Sequence, residues 1–168
     1  MQSGITKKLR FLQLILFGKT KPAPVRRKTR TPDGALEARW KTIRAEWFPD
    51  REDLDSYSVY WSTRRQRRVL ASCNIRRKLI SVAQEMNDPE YFELLTPLLY
   101  HEMCHAVLGE DVQRYGSKRA WHGHEFKALE KRHPGIAVLD TWIRSGGWAR
   151  AVRRHRTRSW HQRQRRAA

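Results

Sequence analysis

From Ala35 to Trp47 the apolar residues return at three- and four-residue steps, as Leu36, Trp40, Ile43 and Trp47. That spacing predicts one buried face of an amphipathic helix, which Phe48-Pro49-Asp50 ends. Three short runs rich in β-branched and aromatic residues follow: Tyr57-Ser-Val-Tyr-Trp-Ser-Thr63, Val69-Leu-Ala-Ser-Cys-Asn-Ile75 and Lys78-Leu-Ile-Ser-Val-Ala83. These read as strands joined by polar turns. Leu94, Leu95, Leu98, Leu99 and Tyr100, then Ala106, Val107 and Leu108, describe a largely buried helix with Gly109 as its natural stop. Its start is open to two readings. Thr96-Pro97 suits an N-cap followed by proline at the first helical position; alternatively Pro97 kinks a longer helix that starts near Asp88-Pro89. After a loop around Gly116 to Arg119, a short helix is expected from about Gly123 to Arg132, ended by His133-Pro134-Gly135. Val138, Leu139, Trp142 and Ile143 are expected to pack back on the body, and Gly146-Gly147 marks where order should fade. There is no internal repeat.

The first thirty residues follow none of these periods. Phe11 to Phe17 is an apolar patch with lysines on both sides, far too short to span a bilayer and without a small-x-small cleavage site. Pro22, Pro24 and Arg26-Arg27-Lys28 have the character of a linker. The organisation expected is therefore a basic flexible arm over 1–34, one domain over 35–146 and an arginine-rich tail over 147–168, with no transmembrane segment. Two isolated cysteines, Cys73 and Cys104, do not make a disulfide framework and suit a reducing compartment, the cytoplasm.

Charge sharpens this division. The formal net charge is +18, and residues 1–30 hold nine Lys or Arg and no acid, while 141–168 hold nine Arg and no acid. Residues 31–140 are balanced, with seventeen of each sign. Basic arms of this kind bind polyanions by neutralising phosphates and releasing counterions, so DNA is an expected partner and a nucleoid-associated location is consistent. Arg153 and Arg154 lie in the C-terminal segment. A second basic patch is expected on the body. Arg64, Arg65, Arg67 and Arg68 fill one apparent hairpin connection and Arg76, Arg77 and Lys78 the next, giving one positive edge if the two turns are neighbours. Trp61 is there either to stack on a base or to join the core.

The chemistry is concentrated at His101-Glu102-Met103-Cys104-His105 on the long helix. Residues four apart on a helix are about 6 Å apart along the axis and share a face, so both imidazoles can meet one ion. Glu102, next to the first histidine, is placed to take a proton from a water on that ion. The motif points to a zinc-dependent hydrolase with one Zn2+. A catalytic site needs a third protein ligand. Asp111 sits six residues past His105, but the turn-permitting glycine comes one place late. Glu125 and His122, both in Trp121-His-Gly-His-Glu-Phe126, remain candidates.

His-Glu-Met-Cys-His followed by His-Gly-x-Glu-Phe resembles the SprT-like metalloproteases, relatives of Spartan. The resemblance covers roughly residues 36–140. It implies His122 as third ligand, short antiparallel strands ahead of the metal helix, and peptidase action on proteins associated with or crosslinked to DNA. No paired-cysteine element accompanies it, so nothing implies a second metal. The implied fold is α+β, a minimal zincin: an N-terminal helix, a small antiparallel sheet, the metal-bearing helix and a short helix delivering the third ligand. Gln13, Leu14, Leu16 and Phe17, with Ile15 between them, further resemble the short peptide with which bacterial proteins dock on the DNA sliding clamp. Two rival classes stand beside the peptidase. One is a non-proteolytic nucleic-acid-binding module with a structural zinc. The other is a metal-dependent ribonuclease, which would need a third histidine closer to His105 than any in this chain.

Overall fold

The computed structural model describes residues 32–110 and 121–167, and between them the backbone of two short strands, Arg114–Tyr115 and Lys118–Arg119. Residues 13–17, the clamp-like peptide, lie outside the described residues, as does Asp111. The architecture is mixed α and β. Helix α1 runs Gly34–Trp47, with Asp33 Oδ1 accepting the Ala35 and Leu36 N–H groups at its start. The periodic residues Leu36, Trp40 and Ile43 are each no more than 2 % exposed. Strands β1 (Ser58–Ser62), β2 (Ala71–Asn74) and β3 (Leu79–Ala83) follow, then helix α2 (Phe92–Leu108). Three further helices follow: α3 (His124–Glu130), α4 (Gly135–Arg144) and α5 (Gly147–Ala167). None of the described helices is long and apolar enough to cross a membrane.

The sheet is mixed rather than antiparallel. Its order is β1-β3-β2, with β1 parallel and β2 antiparallel to β3. The reason lies in burial: Ile80 and Val82 of β3 are fully buried, so the most apolar strand takes the centre. The connection 63–70 is long enough to cross the end of the sheet to the far edge, where a two-residue turn would have forced β1 and β2 to pair. One consequence corrects the expected basic edge. The 63–70 connection leaves the end of the sheet where Ser62 pairs with Ala83, whereas the turn holding Arg76, Arg77 and Lys78 lies at the other end, where Ser58 pairs with Leu79. The two clusters are at opposite poles, and Arg76 is paired with Glu110 at 2.6 Å. Trp61 is half-buried, its indole N–H donating to Asp33 Oδ2 at 3.1 Å.

Helix α2 follows the longer of the two readings. Asp88 caps a short 3-10 turn at Pro89–Tyr91 that leads directly into it, and Pro97 sits inside the helix. Gly109, at φ 64°, closes α2 by donating its N–H to the His105 carbonyl.

Order does not fade at Gly146-Gly147. Gly146 takes φ 79°, and a Cβ on Gly147 would stand 2.3 Å from the Trp142 ring, so the pair makes a tight corner between α4 and α5. Beyond it Trp148, Ala151 and Val152 are buried, and the Trp148 indole donates to the Arg67 carbonyl at 3.1 Å. Val138, expected to pack inward, is 61 % exposed, while Leu139 of the same helix is buried.

Arg154 and Arg158 of α5 reach back to Asp88, at 3.5 and 2.5 Å, and Arg154 also pairs with Glu90. The Asp88 side chain is only 4 % exposed. Its Oδ2 meets these arginines as a close counter-charge rather than as a well-aligned hydrogen bond.

Candidate metal centre

Helix α2 presents His101 and His105 one turn apart, and the turn before α3 brings in His122. Their ring nitrogens come within 4.8 Å of one another, the one group of three or more potential metal-ligating side chains among the described residues. The ring centroids are 5.1, 5.4 and 4.8 Å apart for the pairs 101–105, 101–122 and 105–122. Phe126, 1 % exposed and on the first turn of α3, sits against all three rings at 5.0, 4.4 and 4.7 Å. It walls the cluster with hydrocarbon and keeps water off that side.

Electrostatics prepares these rings as ligands. Burial, together with the neighbouring imidazoles, pushes His105 down to about 2; burial, with His101 next, takes His122 down to about 4. Both stay neutral well below neutral pH, the form that donates a lone pair to a metal. His101 differs. Burial works against its charge, but its Nδ1 sits 2.5 Å from Glu130 Oε1, and this bond with nearby carboxylates holds its pKa above the ordinary value. A donor bond from Nδ1 to a carboxylate fixes the tautomer that leaves the other ring nitrogen available, the usual support for a metal-binding histidine. His122 Nε2 is buried and has no hydrogen-bond partner. An orphaned imidazole nitrogen is costly to bury and is satisfied by a cation shared with the other two rings. The residues therefore fit one divalent metal ion with three imidazole donors.

Glu102 is 4 % exposed. Burial raises its pKa to about 7, against the downward pull of His101 and of the Cys73 backbone N–H that its carboxyl accepts. A carboxyl poised there exchanges protons near neutral pH. Glu125, the other candidate third ligand, is exposed and outside the cluster, as is His124. Both thiols are held protonated by burial, Cys104 at about 12 and Cys73 also well above the ordinary value. Neither is primed for redox or nucleophilic chemistry.

A family model described as the SprT-like family matches residues 36–138, more than half of the chain. The chain belongs to the SprT-like family. No curated protein and no solved structure shows a significant match. SprT-like membership makes this a metallopeptidase-like domain, and the matched span runs from α1 into α4, enclosing every residue of the histidine cluster.

Two contributors to this SprT-like site escape the sequence pattern. Glu130 lies 29 residues from the histidine it orients, and the Cys73 N–H comes from the edge strand β2. A signal for the first was present: Phe126 and Glu130 are four apart on α3 and so share its face. The basic residues divide. Arg64, Arg65, Arg67 and Arg68 are exposed at the α5 end of the sheet, Arg77 and Lys78 lie at the opposite end, and Arg153 is exposed on α5. Arg154 is engaged with Asp88 and Glu90.

Proposed function

We propose that this protein is a zinc-dependent endopeptidase of the HExxH kind, with His101, His105 and His122 holding one Zn2+ and Glu102 as the catalytic base. The observation that carries the reading is the convergence of three imidazoles from two separate elements, with a buried nitrogen of His122 left unsatisfied. Zinc held by three protein nitrogens keeps a position open and, when bound, supplies Lewis acidity to a peptide carbonyl and to water. The chain's own part is proton handling and orientation. Glu102, with a carboxyl near 7, takes a proton from the attacking water and returns it to the departing amine. Glu130 holds the His101 ring in register, and Phe126 dries the flank of the cluster. The substrates we propose are proteins associated with DNA. The support is an arginine-rich helix, α5, and an exposed Arg64–Arg68 connection on the same chain as the peptidase site.

The test is cleavage of a DNA-bound protein with and without DNA, alongside zinc content by mass spectrometry. Glu102→Gln is expected to retain zinc and lose cleavage by at least 100-fold, the scale of general-base contributions. His122→Ala is expected to lose the ion. A cleavage activity indifferent to Glu102→Gln would overturn the peptidase assignment in favour of a structural zinc.

A further inference from the structure

Helix α3 carries the carboxylate that orients His101, yet it is only seven residues long and no side chain caps its start. A helix this short is not stable by itself, so its register depends on where its far end is fastened. Two contacts fasten it. The hydroxyl of Tyr100, the residue before His101, donates to the Leu129 carbonyl at 2.9 Å. His133 closes the turn that follows, its N–H donating to the Glu130 carbonyl at 3.3 Å. The His133 ring packs on Tyr100 of α2 and on Trp47 of α1, with centroids 4.9 and 5.2 Å apart. Glu130 thus lies between two anchored positions.

The same ring serves α4. The cap position of α4 is Pro134, which has no side-chain acceptor. His133 Nδ1 takes that part, accepting the Gly135 N–H at 3.0 Å. A Cβ on Gly135 would stand 2.9 Å from the ring, so the glycine is what lets the imidazole reach the backbone. An asparagine at 133 would make the same bond to the N–H two residues on, and it is a common side chain for such a turn. What the imidazole adds is a proton. Once the ring is charged, both of its nitrogens carry hydrogen, and Nδ1 meets the Gly135 N–H as donor against donor.

The surroundings set when that happens. Burial holds the His133 pKa below its ordinary value of 6.5, while Glu46 on α1 and the ring's own backbone pull the other way. From α2 the ring meets the Tyr100 hydroxyl, which burial keeps protonated and on which both Arg132 and Glu130 act. From α4 it meets Gly135. The ring is half-buried, so protons reach it. Because the folded value lies below the unfolded one, the bond to Gly135 is intact above about pH 6.5 and is lost as pH falls through the folded value.

We propose that His133 is a positioning residue for the metal centre: neutral, it clasps the end of α3 and keeps Glu130 against His101; protonated, it lets both go. The proposal rests on the metal centre of the proposed function and adds a proton-controlled release to it.

Zinc affinity by chelator competition, at about pH 7.5 and about pH 5.5, tests it in wild type, His133→Asn and His133→Leu. At the higher pH, wild type and His133→Asn are expected to bind zinc equally. At the lower pH, His133→Asn is expected to bind about fivefold more tightly than wild type, the scale of one hydrogen bond. His133→Leu, without an acceptor, should fall about fivefold below His133→Asn at both values. Should the leucine variant fail to fold, the asparagine variant carries the comparison alone. Titration of the ligand histidines and of Glu102 is common to all three proteins and cancels in these ratios. A second measurement separates the clasp from mere packing. In heteronuclear NMR spectra of the zinc-loaded protein, the Gly135 amide should move with the His133 ring titration in wild type and stand still in His133→Asn. Identical pH dependence of zinc affinity in wild type and His133→Asn, or a Gly135 amide that ignores the His133 titration, overturns the proposal and leaves the metal centre standing. A wild-type protein that takes up no zinc at either pH overturns the metal centre and the proposal together.

Discussion

Glu130 carries no lone pair to the proposed zinc, yet its bond to His101 Nδ1 at 2.5 Å decides which way that ring faces. Glu130→Gln is expected to weaken zinc binding by about 10- to 100-fold, the usual cost of losing a carboxylate behind a metal-binding histidine. Competition against a calibrated chelator reads this directly, and peptidase activity should recover when zinc is raised. The depressed histidines give the metal-free protein a definite pH response. His122 in the folded chain titrates at about 4, against an ordinary value of 6.5, so the unfolded chain takes up its proton first as pH falls. Its contribution is intact above about pH 6.5 and is lost as pH drops toward 4. Urea titrations of the metal-free protein across that interval are expected to show a falling midpoint, with a shallower fall in His122→Gln.

The corner between α4 and α5 shows how much one element depends on a missing side chain. Gly147→Ala drives a methyl to 2.3 Å from the Trp142 ring, and overpacking of this kind costs about 1–3 kcal/mol. Trp148→Ala empties a buried site and removes the indole bond to Arg67, a loss of about 3–5 kcal/mol. Denaturation followed by far-ultraviolet circular dichroism should show part of the α5 signal lost ahead of the main transition in the second variant. The same corner explains where sequence reading stops. Helix α1, the three strands and α2 were legible because each repeats apolar residues at its own period. Helix α5 buries only its first two turns and thereafter carries Trp160 as its one large apolar residue, so nothing periodic announces it. Parallel pairing of β1 and β3 was hidden because alternation within a strand does not say which neighbour it joins. At the site, the motif gave two histidines and the glutamate, and the resemblance gave His122. The ring-orienting carboxylate was not legible, since it depends on how α3 lies against α2.

At the scale of the molecule, the described residues place basic groups at both poles of the sheet: Arg64, Arg65, Arg67 and Arg68 beside α5, and Arg76, Arg77 and Lys78 at the other, where Arg76 is paired with Glu110. Arg154→Ala with Arg158→Ala is expected to destabilise the protein by about 3 kcal/mol, because it strands the buried Asp88 carboxylate without a counter-charge. Asp88→Asn should rescue much of that loss, and a double-mutant cycle from urea midpoints measures it. Asp88 also caps the turn that launches the histidine-bearing helix. One carboxylate is thus a mooring for two elements: whatever tugs on α5 pulls on the root of α2. Hydrogen exchange at the opening turn of α2 would report such traction, quickening when Asp88 lets go.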